Sequence, residues 1–276
     1  MADPEIKIIP LDSATQLDNT AAGNVFVIGS QATAGPALWV AKAGVRAVIF
    51  HDTGVGKDEA GLSALPYLQK LGMPAACIDS QTARISDGED MLTRGVISHF
   101  NALADELGVK VGQSCQNAAS LLRTAKQFTG KPDESDEPLR HKLGAINSIS
   151  IIGLDTMPLI QADDTGKIVI TGSHGGLVGG SNPPENPLAA TRGIAVKAAI
   201  FHDAGMCPDN SSTSRLPALD LKAIPAATVS AMSARISDAV SMYETGALSI
   251  VNNTAQDLGV KVGMSAKQFC KLIANS

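Results

Sequence analysis

Aromatic residues are scarce in this chain, 3% of 276 positions with a single Trp and two Tyr, which removes the stacking platforms on which single-stranded nucleic acids are held. A basic stripe is missing too. The net charge is -5, and Lys and Arg are scattered along the sequence, so the electrostatic footprint of a nucleic-acid binder is absent. No apolar run approaches the length of a membrane span, and Asp3 and Glu5 stand where a signal peptide would carry its basic segment. The chain is therefore expected in the cytoplasm, with neither nucleic acid nor membrane as partner. Four cysteines, Cys77, Cys115, Cys207 and Cys270, show no CxxC spacing and no His at metal-ligand intervals. Neither a zinc site nor a disulfide framework is expected from them. What is plentiful is apolar content, 44%, enough for a substantial core.

A repeat organises the whole sequence. Ile6 to Ser13 (IKIIPLDS) returns as Ile149 to Thr156 (ISIIGLDT), and Asn24 to Ser30 (NVFVIGS) as Lys167 to Ser173 (KIVITGS). After an insertion in the second copy the offset changes once and then holds. Arg46 to Asp52 (RAVIFHD) matches Lys197 to Asp203 (KAAIFHD), Pro74 to Asp87 matches Pro225 to Asp238, and LGVKVG at Leu107 to Gly112 recurs at Leu258 to Gly263. About 30 of roughly 80 ungapped positions are identical, far more than unrelated segments share. Residues 1–128 read as a first α/β repeat, 129–143 as a polar linker with two prolines, and 144–276 as a second repeat.

Within a copy, short β-branched runs alternate with amphipathic stretches, the pattern of a largely parallel sheet flanked by helices. Val25 to Ile28, Arg46 to Phe50 and Ala75 to Asp79 read as strands, and Pro36 to Ala43 and Leu62 to Leu71 as helices. A longer helix is expected after Asp87, where Leu92, Val96, Phe100, Leu103 and Leu107 recur at helical spacing, capped by Ser86 or Asp87 and ended by Gly108. A last helix begins at Ser265, with Gln268 completing a capping box. The expected architecture is α/β, two tandem homologous units related by a pseudo-twofold axis.

Ligands of parallel α/β sheets bind at the carboxyl ends of the strands, and three polar clusters recur there. They are Gly29-Ser30-Gln31 with Gly172-Ser173-His174-Gly175-Gly176, His51-Asp52 with His202-Asp203, and the Ala83-Arg84-Ile85-Ser86-Asp87 segment with Ala234-Arg235-Ile236-Ser237-Asp238. His, Asp and Arg are rarely needed merely to fill a core. Arg84 and Arg235, each just before a helix N-terminus, suit a carboxylate or phosphate, the alternative being an ion pair with the nearby Asp. Asp238 stands either at the site or as a helix cap. Adjacent strand residues face opposite ways, so His202 rather than His174 is the base expected for Ser173, with Asp203 orienting it. Gly175 and Gly176 permit close backbone approach, and the insertion Leu177 to Pro187 reads as a lid. In Thr53 to Asp58, His51 takes the place of the first phosphate-loop glycine, so Lys57 contributes charge but not a Walker motif.

These parts lead to an expectation of hydrolysis of an amide-like or ester-like bond in a small, polar or anionic substrate, in a cleft between the repeats, without cofactor or metal. Ser173, His174, His202 and Asp203 are the catalytic candidates. Arg84, Arg235, Ser30, His51, Asp52, Lys57, Gly175, Gly176 and Asp238 are the binding candidates. The alternatives are an isomerase or lyase with His202 or Asp203 as base on a carboxylate substrate, and a non-catalytic small-molecule binding protein. A homo-oligomer is a further expectation.

Overall fold

Unbroken apolar runs such as Val25–Ile28 and Ile168–Ile170 belong to strands covered on both faces, and the computed structural model, which describes residues 5–132, 137–179 and 187–276, places them in two sheets flanked by helices. The first sheet has the order β1-β2-β3-β4-β5, with β1 Ile8–Leu11, β2 Val25–Gln31, β3 Ala47–His51, β4 Ala75–Ile78 and β5 Ile97–Phe100. Its first four strands are parallel and β5 is antiparallel to β4. The second sheet runs β11-β10-β9-β8-β7-β6, with β6 Arg140–Ile146, β7 Ile149–Leu154, β8 Ile168–His174, β9 Ala198–His202, β10 Ala226–Val229 and β11 Leu248–Val251. Strands β7 to β10 are parallel, and β6 and β11 close the sheet in antiparallel fashion. Both sheets are thus mostly parallel.

The chain divides into two compact units. Unit 1 comprises Met1–Gly54, Gly61–Glu137 and Cys207–Asp209, and unit 2 comprises Val55–Ala60, Pro138–Met206 and Asn210–Ser276. In unit 1, Phe26, Ile28, Val48 and Phe50 face helices α1 (Ala34–Lys42) and α2 (Ala64–Leu71), while Val25, Val27, Ala47 and Ile49 face α3 (Gly88–Arg94), α4 (Ala102–Glu106) and α5 (Cys115–Leu122). In unit 2, Val169, Ala199 and Phe201 pack with α6 (Arg215–Asp220). Ile168, Ile170, Ala198 and Ile200 pack with α7 (Ala239–Thr245), α8 (Asn253–Asp257) and α9 (Ala266–Ala274). No helix among the described residues is long and apolar enough to cross a membrane. All four cysteines are buried and free.

Two expectations about local structure are corrected. The long helix after Asp87 is three elements, α3, β5 and α4, because the chain turns at Gly95, where a Cβ would lie 2.4 Å from Met91 O. Beyond it Val96 and Ile97, both β-branched, lead into the antiparallel pairing of β5 with β4. Gly246 breaks the matching stretch of unit 2 in the same way, since a Cβ there would lie 2.3 Å from Met242 O. The polar linker, of which residues 133–136 lie outside the described residues, ends in β6 rather than running as coil to Lys142. Arg140 grips Asp164 through two hydrogen bonds of 2.9 Å, and Leu139 exchanges bonds with Asp155, which fixes that strand on β7.

Helix α3 starts where expected, with Asp87 accepting from Asp90 N at 2.9 Å, and Asp238 caps α7 through Ser241 N at 2.7 Å. Both caps lie against a strand glycine. A Cβ on Gly29 would meet Asp12 O, Asp87 N and Ser86 Cα at 2.7–2.8 Å, and one on Gly172 would meet Asp155 O, Asp238 N and Ser237 Cα at 2.7 Å. Every one of these neighbours belongs to the main chain, so none can swing away. Gly172→Ala should therefore lower unfolding stability by about 1–3 kcal/mol in urea titration, the cost of overpacking; an unchanged midpoint would mean that α7 shifts freely.

Candidate functional site

The strand-end histidines are held at both ring nitrogens. His202 Nδ1 accepts the Ala204 N–H at 3.0 Å and its Nε2 lies 3.2 Å from Ala234 O. In unit 1 His51 Nδ1 accepts from Thr53 N at 3.1 Å and Nε2 lies 3.3 Å from Ala83 O. A nitrogen that accepts an amide proton carries none, so the proton must sit on Nε2, pointing at the carbonyl. This tautomer follows from the bonding partners. Neither ring can take a further proton at Nδ1 without losing the turn that follows the strand. Burial pushes both rings below the ordinary histidine value, partly opposed by Asp203 and Asp52 respectively, and His202 is only 1% exposed.

The aspartates beside them serve the same turns. Asp203 Oδ1 accepts from Gly205 N at 3.1 Å and Ala231 N at 2.9 Å, and Asp52 Oδ1 accepts from Gly54 N at 3.0 Å and Ser80 N at 2.9 Å. Ser98 adds a bond to Asp52 Oδ2 at 2.8 Å. Ser173 and Ser30 likewise anchor backbone, accepting from Met157 N and Ala14 N at 2.9 Å. His174 pairs in register with His202 across β8 and β9, and its Nδ1 accepts from Gly176 N at 3.1 Å. The Ser173 hydroxyl and the His202 ring therefore each have a structural partner, and the structure records no hydrogen bond between them.

Both candidate arginines hold the protein's own carboxylates. Arg235 binds Asp238 at 2.7 Å and Asp58 at 3.0 Å. Arg84 binds Asp90 at 3.0 Å and lies in ion-pair range of Asp87 and Asp209, while Arg94 bonds Asp90 from the other side. Burial would raise the Asp90 carboxyl, but the bonds from Arg94 and Arg84 hold it below its ordinary value. The helix N-termini nearby are also filled from within, since Asp12 accepts from Gly88 N and Asp155 from Ala239 N, each at 3.1 Å. Lys57, in unit 2, donates to Ser233 O at 3.3 Å and Thr245 Oγ1 at 3.1 Å. Of the two readings of Arg84 and Arg235, the ion pair is the one the geometry contains.

Gly175 is required where it stands. Its amide donates to His202 O at 2.9 Å, its carbonyl accepts from Arg215 N at 2.8 Å, and a Cβ would fall 2.7 Å from Ser212 O. The segment Ser211 to Arg215 is thereby brought to the ends of β8 and β9. Of the insertion read as a lid, residues 180–186 lie outside the described residues. Cys207 in unit 1 is buried, with Sγ 3.8 Å from His51 Nε2. Since that nitrogen carries the ring proton, His51 offers the thiol a donor and not a base. Among the described residues no group of three or more His, Cys, Asp or Glu is arranged to hold a metal ion.

One residue outside the recurring blocks enters this region. Arg215, 6% exposed, donates from Nε to Gly176 O at 2.9 Å and from Nη1 to Ala190 O, and its guanidinium lies 5.5 Å from the centre of the Phe201 ring. Burial, with Arg192 adding repulsion, lowers it to about 10. Its signal in the sequence is an asymmetry: unit 1 has Ala64 at the position whose amide bonds Ala32 O, as Arg215 N bonds Gly175 O. The recurring blocks do not reveal it because it does not recur.

The pinned histidines set a pH dependence. A histidine whose folded value is lowered adds stability in full above about pH 6.5, its unfolded value, and loses it as pH falls towards the folded value. Each should cost about 1.4 kcal/mol per pH unit over that window. Urea midpoints from pH 7.5 to 5 should fall steeply, and less steeply in His202→Asn, whose Oδ1 replaces the Nδ1 acceptor without titrating; equal slopes would show that His202 protonates freely in the fold. Set against protein-family models, curated proteins and solved structures, the chain finds no match.

Proposed function

We propose that this chain is a small-molecule binding protein, with its ligand site in unit 2 at the carboxyl ends of β8 and β9. The observation that carries this reading is what unit 2 adds where unit 1 has nothing comparable. Ser211, Ser212, Thr213, Ser214 and Arg215 form a buried polar run, whereas Ala60 to Ala64 of the sequence supply Ala, Gly, Leu, Ser and Ala. Unit 1 builds the same strand order without such a run, so the sheet itself does not require it. The run is held from within, Ser214 donating to Ser211 O at 3.2 Å and accepting from Leu177 N at 2.9 Å, and Thr213 donating to Asn210 O at 3.2 Å, and polar groups convergent at strand ends are characteristic of a ligand site. The recurring blocks and common strand order support an origin of both units from one ancestral unit, with unit 2 specialised afterwards.

Hydrolysis through Ser173, and proton abstraction by His202 or Asp203, receive less support. Ser173 and His202 each already hold a backbone amide, His202 at the nitrogen that would have to take the proton, and Asp203 spends its Oδ1 on two amides of the turn. Binding needs none of these groups to change partner.

The two classes separate experimentally. A library of small metabolite-like molecules should yield a compound that raises the melting temperature saturably, and Ser173→Ala, although about 1 kcal/mol less stable for want of the Met157 bond, should bind it within about threefold of the parent. Catalysis would replace this reading if an ester or amide substrate gave a burst of product that Ser173→Ala abolished.

A further inference from the structure

Four arginines hold carboxylates, while the part-buried Arg46 is met by the carbonyls of Gly23 and Ala125. Arg84 and Arg94 share Asp90, Arg140 holds Asp164, and Arg235 holds Asp238. Arg215 is more deeply buried than any of these, yet it meets no carboxylate among the described residues. Among the described residues the charge that acts on it is another cation, Arg192, which is exposed. A guanidinium has five N–H donors in a planar fork. Two are used on the carbonyls of Gly176 and Ala190, and the remaining three, both on Nη2 among them, find no acceptor among the described residues.

Two carbonyl bonds and the Phe201 face explain why a donor stands here, but not why the donor is a full charge. A buried cation left without a counter-charge among the described residues is costly, and the deficit is greater with a second cation alongside. A planar fork with a free edge fits an oxyanion in bidentate fashion.

Resting on the binding role proposed above, we infer that Arg215 and Arg192 form an anion subsite in unit 2 that takes the carboxylate or phosphate group of a small ligand. Arg215 supplies the fixed fork, held over the Phe201 ring and steered by the Gly176 and Ala190 carbonyls. Arg192, exposed and close enough to repel Arg215, adds positive charge to the same region. Neither arginine transfers a proton, so the subsite anchors a ligand and does not act on it.

Inorganic phosphate and acetate serve as probes, titrated by calorimetry at constant ionic strength on the full chain. One of them should bind with one-to-one stoichiometry and shift the Nη resonances of Arg215 in a spectrum of arginine side chains. Arg192→Gln, which alters an exposed residue, should weaken that binding about fivefold to tenfold, and Arg215→Met should abolish it. Should Arg215→Met fail to fold, the Arg192→Gln titration and the Arg215 resonances decide alone. Phosphate and acetate that leave the Arg215 resonances unmoved overturn the subsite. A neutral ligand found by the library screen, binding parent and Arg192→Gln alike, leaves the binding role intact while removing the anion subsite; no ligand of any kind removes both.

Discussion

When a parallel strand stops inside a protein, the next few amides leave the ladder and face each other with nothing to accept their protons. At the ends of β3 and β9 this problem is met by a neighbouring pair, one imidazole and one carboxylate. Each of them accepts an amide two residues further on, and each also reaches a second segment: the ring its carbonyl at Ala83 or Ala234, the carboxylate its amide at Ser80 or Ala231. The turn after the strand and the approach to the following helix are thereby tied to the same two side chains. The rest depends on this tie, because the loop it holds carries Ser86 or Ser237 at φ near +60° and presses a helix start against a strand glycine. A serine in that left-handed region is strained unless its surroundings hold it there.

This use of histidine and aspartate changes how recurrence is to be weighed. Residues kept in both halves of the sequence are the ones that both halves need, and what both need is the strand-end tie. Residues confined to one half are free of that duty. Arg215 and the serines before it differ from their counterparts for reasons the sheet does not supply, which is why the functional reading rests on them and not on the recurring FHD and ARISD segments.

The strands were legible in the sequence because their apolar runs are short, β-branched and covered on both sides, and β2, β3 and β4 stand close to where those runs lie. The caps at Asp87, Asp238 and Ser265 were legible for a local reason, since a cap is a bond to a neighbour three residues away. The stretch from Leu92 to Leu107 misled because helical spacing of apolar residues also arises when two short helices flank a strand; only the tight contact at Gly95 distinguishes the two, and that contact is made in three dimensions. Strand β6 was hidden by its polar sequence, its place being set by Arg140 on Asp164 and Leu139 on Asp155, partners 24 and 16 residues away. For the site, the positions of the strand-end groups could be inferred from topology, but their occupation by backbone partners could not, since every one of those residue types also occurs in active sites.

The two sheets differ in one edge, and the difference bears on how the protein behaves in a crowded solution. In unit 2 the outer side of β7 is taken by β6, with Gly153 opposite His141. In unit 1 the outer side of β1 carries no strand among the described residues. There the sequence places Pro10 where β7 has Gly153. Val25 donates to Lys7 O, so alternate residues from Lys7 face β2 and Pro10 faces outward. Of the two outward positions of β1, Ile8 and Pro10, the second has no proton to give, which shortens the ladder an incoming strand could form on a bare edge that would otherwise invite templated growth.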